Sequence, residues 1–134
     1  MKDKILLVST ILFGLMMVNS GLNKFLNFMP QPEMSQEAMG LMSSFAASGW
    51  MFPLIAVIEI TGGVLIAIPR YRALGAIIIL PITAGIFLFH LVLEHATLLI
   101  SIILLAINVW VIVENRSKYL PMINTVPSIQ KQNA

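Results

Sequence analysis

The sequence contains four long apolar runs within only 134 residues. They extend from about Ile5 to Phe25, Trp50 to Ile68, Ala73 to Leu93 and Thr97 to Val113. Each run approaches or reaches the ~20 residues that cross a ~30 Å hydrocarbon layer as a helix. Because an unpaired backbone is costly in lipid, all four runs are predicted to be transmembrane helices.

The composition also indicates a membrane protein. The chain is 58% hydrophobic and 10% charged, with a mean hydropathy of +0.92, whereas soluble domains carry about 25% charged residues. The lipid bilayer is therefore the expected partner, and the scattered basic residues do not indicate nucleic-acid binding. We predict an all-α fold, with residues 1–123 forming one four-transmembrane-helix bundle and residues 124–134 a polar C-terminal tail.

The basic residues predict how the chain is oriented. If the N-terminus is cytoplasmic, seven of the eight basic residues lie inside and only Lys24 lies outside, as the positive-inside rule expects. This predicts a multi-pass protein of the cell (inner) membrane with both termini cytoplasmic. A rival interpretation makes Met1–Ser20 a cleaved signal peptide, which would leave three spans.

The connection between the first two runs contains a helical pattern. Ser35 is suited to an N-cap and Glu37 to the first turn, and apolar residues follow at helical spacing as far as Gly49. We expect a short amphipathic extracytoplasmic helix between spans one and two. It is either an interfacial anchor with Trp50 at the headgroup level or a lid over the outer mouth of the bundle.

Glu59 stands in the middle of the second apolar run. A carboxylate at the centre of a span costs roughly 2.5–3.5 kcal/mol on insertion scales. The predicted orientation places it roughly 14 Å below Trp50, near the midplane. Two interpretations stay open: an interhelical hydrogen bond that fixes the packing, or a carboxyl that binds a proton or a ligand.

Other polar residues fall in the same outer half of the predicted bundle. Asn19 and Asn23 share a face of span one, and His90 lies at the outer end of span three. Together with Glu59 they are the predicted ligand-binding residues, although His90 also suits an interfacial position facing headgroup water. Lys24 is expected to snorkel to the outer surface.

A second set of residues is predicted to have structural roles. Gly62 and Gly63 give span two a narrow face around Glu59, which allows a neighbouring helix to approach closely. Pro81 is expected to kink span three and make room beside the carboxylate. Asn108, in the inner half of span four, is expected to form a packing hydrogen bond.

Several kinds of chemistry are absent from the sequence. The chain has no cysteine, which excludes a thiolate metal site and a haem attached through a C-x-x-C-H motif. His90 and His95 are five residues apart and fit one helix face poorly, so no metal site is predicted. No nucleotide-binding or hydrolase motif is present, no catalytic residue is identified, and whether the protein is an enzyme stays open.

Four short motifs resemble the DoxX family of small four-span membrane proteins, over about residues 3–123. These are Gly21-Leu22-Asn23-Lys24-Phe25, Ile58-Glu59-Ile60-Thr61-Gly62-Gly63, Arg72-Ala73-Leu74-Gly75-Ala76 and the closing segment from Asn108 to Arg116. The resemblance implies a four-helix bundle and a link to membrane redox complexes, since the family takes its name from a subunit of a quinone-linked oxidoreductase. It also implies that Asn23, Lys24, Phe25, Glu59 and Gly63 form a cavity or packing core.

The leading functional hypothesis is an accessory subunit of a redox-linked membrane complex. A cavity near Glu59 would bind quinone or another lipid-like molecule, and the partners would be membrane redox subunits or further copies of the chain. Two alternatives stay open. One is a small oligomeric transport or proton-relay module, and the other is a structural scaffold in which Glu59 fixes the helix register.

Overall fold

A computed structural model describes residues 2–28 and 33–123, and every regular element in those ranges is helical. The all-α prediction is therefore confirmed for this part of the chain, while the predicted tail, residues 124–134, lies outside it. Short 3₁₀ turns at Pro69–Tyr71 and His95–Thr97 connect some of the helices. The α-helices are α1 Lys2–Leu26, α2 Gln36–Ser48, α3 Met51–Ala67, α4 Arg72–Val92, α5 Leu98–Glu114 and α6 Arg116–Ile123.

The four longest helices pack side by side. α1 packs against α3, α3 against α4 and α4 against α5, and a smaller contact joins α1 to α5. α2 makes an angle of 94° with α3 and therefore lies across the direction of its neighbour. Within residues 2–28 and 33–123, three segments are long and apolar enough to cross a membrane: Lys2–Leu26, Pro69–Val92 and His95–Glu114. α3 has 17 residues, and a fourth span results if α2 and α3 count as one broken span.

The outer surface of the long helices is apolar, unlike the surface of a water-soluble protein. Large aliphatic side chains cover the outside of the long helices, among them Leu12, Leu15, Val92 and Leu99. Soluble monomers rarely expose continuous apolar surface on this scale. Six polar or charged side chains of the described residues are buried: Thr10, Glu59, Arg72, Thr83, Ser101 and Asn108. Such a surface requires lipid around it.

Glycine residues allow α1 and α3 to approach each other closely. A Cβ atom added at Gly63 would lie 2.8 Å from the Gly14 carbonyl oxygen and 3.0 Å from the Cβ atom of Met17. A Cβ atom at Gly62 would lie 2.9 Å from Cδ1 of Ile79 on α4. Small residues at helix contacts are the usual means of close packing in lipid. The face of α3 that carries Glu59 is thereby held against α1.

The short helix α2 begins and ends as the sequence predicts. The Ser35 hydroxyl oxygen accepts a hydrogen bond from the Ala38 amide at 3.2 Å. Gly49 ends the helix with φ of 76°, a left-handed conformation that glycine adopts without a steric penalty. Ser35 also joins α2 to the end of α4, because its amide donates to Glu94 Oε2 at 2.9 Å and its hydroxyl donates to the Leu93 carbonyl at 3.0 Å.

The close contact at Gly63 can be tested with a matched pair of variants. Gly63→Ala is expected to lower the free energy of unfolding by about 1–3 kcal/mol, because the added methyl group forces α1 and α3 apart. Gly85→Ala is the control, since a Cβ atom there meets no described atom within 4 Å. Thermal unfolding of both variants in detergent is the measurement, and equal melting temperatures would contradict the packing described.

Candidate functional site

A buried ion pair joins α1 to α3. The Nζ atom of Lys24 lies 2.9 Å from Oε2 of Glu59, and the two side chains are 22% and 2% exposed. The same ammonium donates a hydrogen bond to Ser20 Oγ at 3.1 Å. Because a charge inside a membrane protein is costly without a partner, each member of the pair stabilises the other in this position.

Lys24 was predicted to snorkel to the outer surface, and that prediction is wrong, because its side chain lines the cavity and pairs with Glu59. The Cα–Cβ bonds of a helix tilt toward its N-terminus. Lys24 lies in the last turn of α1, so its side chain points back along the helix, past Ser20 and toward Glu59. A signal was available in the sequence, because Glu59 needs a counter-charge and Lys24 is the only basic residue between Lys4 and Arg70.

A cavity of about 670 Å³ lies beside the ion pair. Its volume falls within the ~300–1,000 Å³ typical of small-molecule sites. Residues of α2, α3 and α4 form most of its wall, and Lys24 reaches it from α1. Nearly all of the lining from described residues is apolar, and Lys24, Glu59 and His90 are the charged or titratable residues among them. A mainly apolar site with a few convergent polar groups is suited to a hydrophobic ligand that has a polar end.

α2 closes one side of this cavity. Leu41, Met42 and Phe45 contribute its part of the wall. The ring of Phe45 meets the ring of Phe52 on α3 edge to face, with centroids 6.1 Å apart and an interplanar angle of 84°. These contacts, together with the bonds from Ser35 to the end of α4, hold α2 against this side of the cavity.

α4 contributes His90, Pro81 and Gly85 to the cavity wall. The His90 Nδ1 atom lies 2.8 Å from the Ile86 carbonyl oxygen. Since a carbonyl oxygen only accepts hydrogen bonds, the proton is assigned to Nδ1. In the neutral ring, Nε2 is then the hydrogen-bond acceptor. α4 is continuous through Pro81, although proline cannot donate the usual helical hydrogen bond to the Ile77 carbonyl.

The other residues predicted for the site or for packing do not line the cavity. Asn19 is exposed and Asn23 is half-buried, and neither lines the cavity. Phe25 is about half exposed on α1. Asn108 is buried between α4 and α5, where its Oδ1 accepts from Thr83 Oγ1 at 2.6 Å and its Nδ2 donates to the Ala76 carbonyl at 3.0 Å.

No group of three or more histidine, aspartate or glutamate side chains in residues 2–28 and 33–123 is arranged to hold a metal ion. His95 is exposed and its Nε2 atom contacts the Leu91 carbonyl oxygen. The polar chemistry of the cavity therefore rests on Lys24, Glu59 and His90.

Comparison with protein families matches residues 5–92 to the DoxX family model. The matched part contains both members of the ion pair and most of the cavity wall. No curated protein and no solved structure matches the chain.

Removing one member of the ion pair is expected to cost more stability than removing the other. Lys24→Met is expected to destabilise the protein by up to about 3–5 kcal/mol, because it leaves a buried carboxylate without a counter-charge. Glu59→Gln is expected to cost less, because the half-buried lysine can reach water.

A double-mutant cycle measured by thermal unfolding in detergent checks this prediction. Lys24→Met/Glu59→Gln is expected to be more stable than Lys24→Met alone, with a coupling energy of about 1–3 kcal/mol. Additive effects of the two substitutions would show that the pair does not contribute to stability.

Proposed function

The chain belongs to the DoxX family, and on that premise we propose that this multi-pass membrane protein binds a quinone or another lipid-like molecule in the cavity beside Lys24 and Glu59. It does so as an accessory subunit of a redox-linked membrane complex. The observation that carries the proposal is a cavity of about 670 Å³ with an apolar wall and a buried ion pair at one place in it.

The polar groups of the cavity suit the head of such a ligand. An ammonium group has three hydrogen-bond donors, and Glu59 and Ser20 accept from two of those of Lys24. We expect the third to donate to a carbonyl oxygen of the ligand. We expect His90, which lines the cavity from α4, to supply a second polar contact.

The apolar wall suits the tail of the ligand and a route from the bilayer. Leu54, Leu88 and Val92 line the cavity and are also exposed on the outside of the bundle. The cavity therefore reaches the surface that lipid covers. A lipid-like molecule can enter between α3 and α4 without passing through water, which favours this class of ligand over a water-soluble one.

The arrangement of polar groups favours binding over proton relay. A relay through the bundle needs polar groups that continue from Glu59 toward Asn108. Both hydrogen-bonding groups of Asn108 are engaged by Thr83 and Ala76, and the buried aliphatic side chains of Ile66 and Ile79 belong to the core on that side. The accessory role rests on family membership, because the family is linked to membrane redox complexes.

Filling the cavity is expected to abolish ligand retention. Gly85 lines the cavity, and a Cβ atom added there meets no described atom within 4 Å. Gly85→Leu should therefore occupy the ligand volume without straining the helices and lower the amount of retained quinone at least about tenfold, the equivalent of ~1.4 kcal/mol. The measurement is lipid extraction and mass spectrometry of protein purified from native membranes in mild detergent.

Gly40→Leu is the matched control, because Gly40 is equally open but does not line the cavity. Gly40→Leu is expected to retain quinone as the wild type does. Redox subunits should copurify with the wild type and with Gly40→Leu. Wild-type protein without quinone or any other lipid-like ligand, or equal retention in the two variants, would overturn the proposed function.

We also propose that both termini are cytoplasmic and that α2 lies on the opposite side of the membrane. Because the chain has no cysteine, single cysteines can be placed at will. Gly40→Cys is expected to react with a membrane-impermeant maleimide in intact cells or spheroplasts, and Lys118→Cys only after permeabilisation. The reverse labelling pattern would invert the proposed orientation.

A further inference from the structure

A second groove lies at the other end of the bundle from α2. It has a volume of about 410 Å³ and lies between the start of α4 and the short helix α6. This end also holds an ion pair between Lys2 on α1 and Glu114 at the end of α5, with 2.9 Å between Nζ and Oε2. We call it the basic end, because six of the seven lysine and arginine residues in the described ranges belong to it: Lys2, Lys4, Arg70, Arg72, Arg116 and Lys118.

The groove combines two cations with an apolar floor. Arg70 and Lys118 are exposed at the groove, and Leu74 and Ile77 line it along α4. The Arg70 guanidinium carbon lies 5.5 Å from the centre of the Tyr71 ring, a distance at which a cation is attracted to an aromatic face. No acidic side chain of the described residues lines the groove.

Tyr119 holds the two sides of the groove together. Its hydroxyl group donates a hydrogen bond to the Ala73 carbonyl of α4. Burial raises the pKa of the Tyr119 phenol, so the group stays protonated and keeps this donor at physiological pH. Met122 and Ile123 of α6 extend the apolar surface beyond it, and both are highly exposed.

We propose that this groove binds one anionic phospholipid. Its phosphate contacts Arg70 and Lys118, and one acyl chain lies along Leu74 and Ile77 on α4. The charges of the groove are complementary to an anionic headgroup, and tyrosine residues are favoured at the level where headgroups meet acyl chains. Basic pockets between membrane helices recognise anionic headgroups in this way. The site is separate from the cavity at Glu59 and does not depend on the function proposed for that cavity.

The test uses the full-length protein in detergent with added phosphatidylglycerol or with phosphatidylcholine of the same acyl chains. Native mass spectrometry counts the lipids that stay bound. The wild type is expected to retain one phosphatidylglycerol in preference to phosphatidylcholine. Arg70→Gln/Lys118→Gln is expected to weaken that binding about fivefold for each charge removed, the factor given by ~1 kcal/mol per basic residue.

Lys4→Gln/Arg116→Gln is the matched control. It removes two exposed charges from the same end of the bundle, and neither residue lines the groove, so binding should stay at the wild-type level. Ile77→Trp fills the apolar floor without changing the charge and is expected to reduce binding as well. The proposal is overturned if the control pair loses as much binding as the groove pair, if phosphatidylcholine is retained equally, or if wild-type protein retains no phosphatidylglycerol.

Discussion

The Lys24–Glu59 ion pair is the interaction on which the rest of the site depends. An acidic side chain that is 2% exposed in an apolar helix needs a counter-charge. The lysine supplies it from α1, so the pair fixes the relative depth of two helices as well as the charge of the cavity wall. A hydrophobic pair of the same size would fill the space, but it would offer a ligand no polar contact.

Tight and open packing occur on different sides of α3. On one side, Gly14, Gly21 and Gly63 bring α1 and α3 so close that added Cβ atoms would collide with the facing helix. On the other side, residues of α3, α4 and α2 line an open cavity of about 670 Å³. Gly85 lies on the open side, and its missing side chain adds to the space. Glycine therefore has two opposite effects in this bundle, close contact in one place and volume in another.

The two ends of the bundle differ in charge and in chemistry. The end with α2 holds Glu37 and Glu94, and the cavity lies under it. The basic end holds most of the lysine and arginine residues and a groove between α4 and α6. Such an asymmetry sets the topology of membrane proteins, and here it also makes one end complementary to anionic lipid.

The sequence by itself determined the helices, because the length of each apolar run and the cost of an unpaired backbone in lipid leave no other structure. It determined the caps of α2 at Ser35 and Gly49 for an equally local reason. It also singled out Glu59, since a carboxylate in an apolar run is conspicuous. Only the tertiary structure decided that Lys24 is its partner, that Asn19 and Asn23 do not line the cavity, and that α2 forms part of the wall. Those outcomes depend on the direction of side chains and on which helices are neighbours, and hydrophobic spacing along one chain specifies neither.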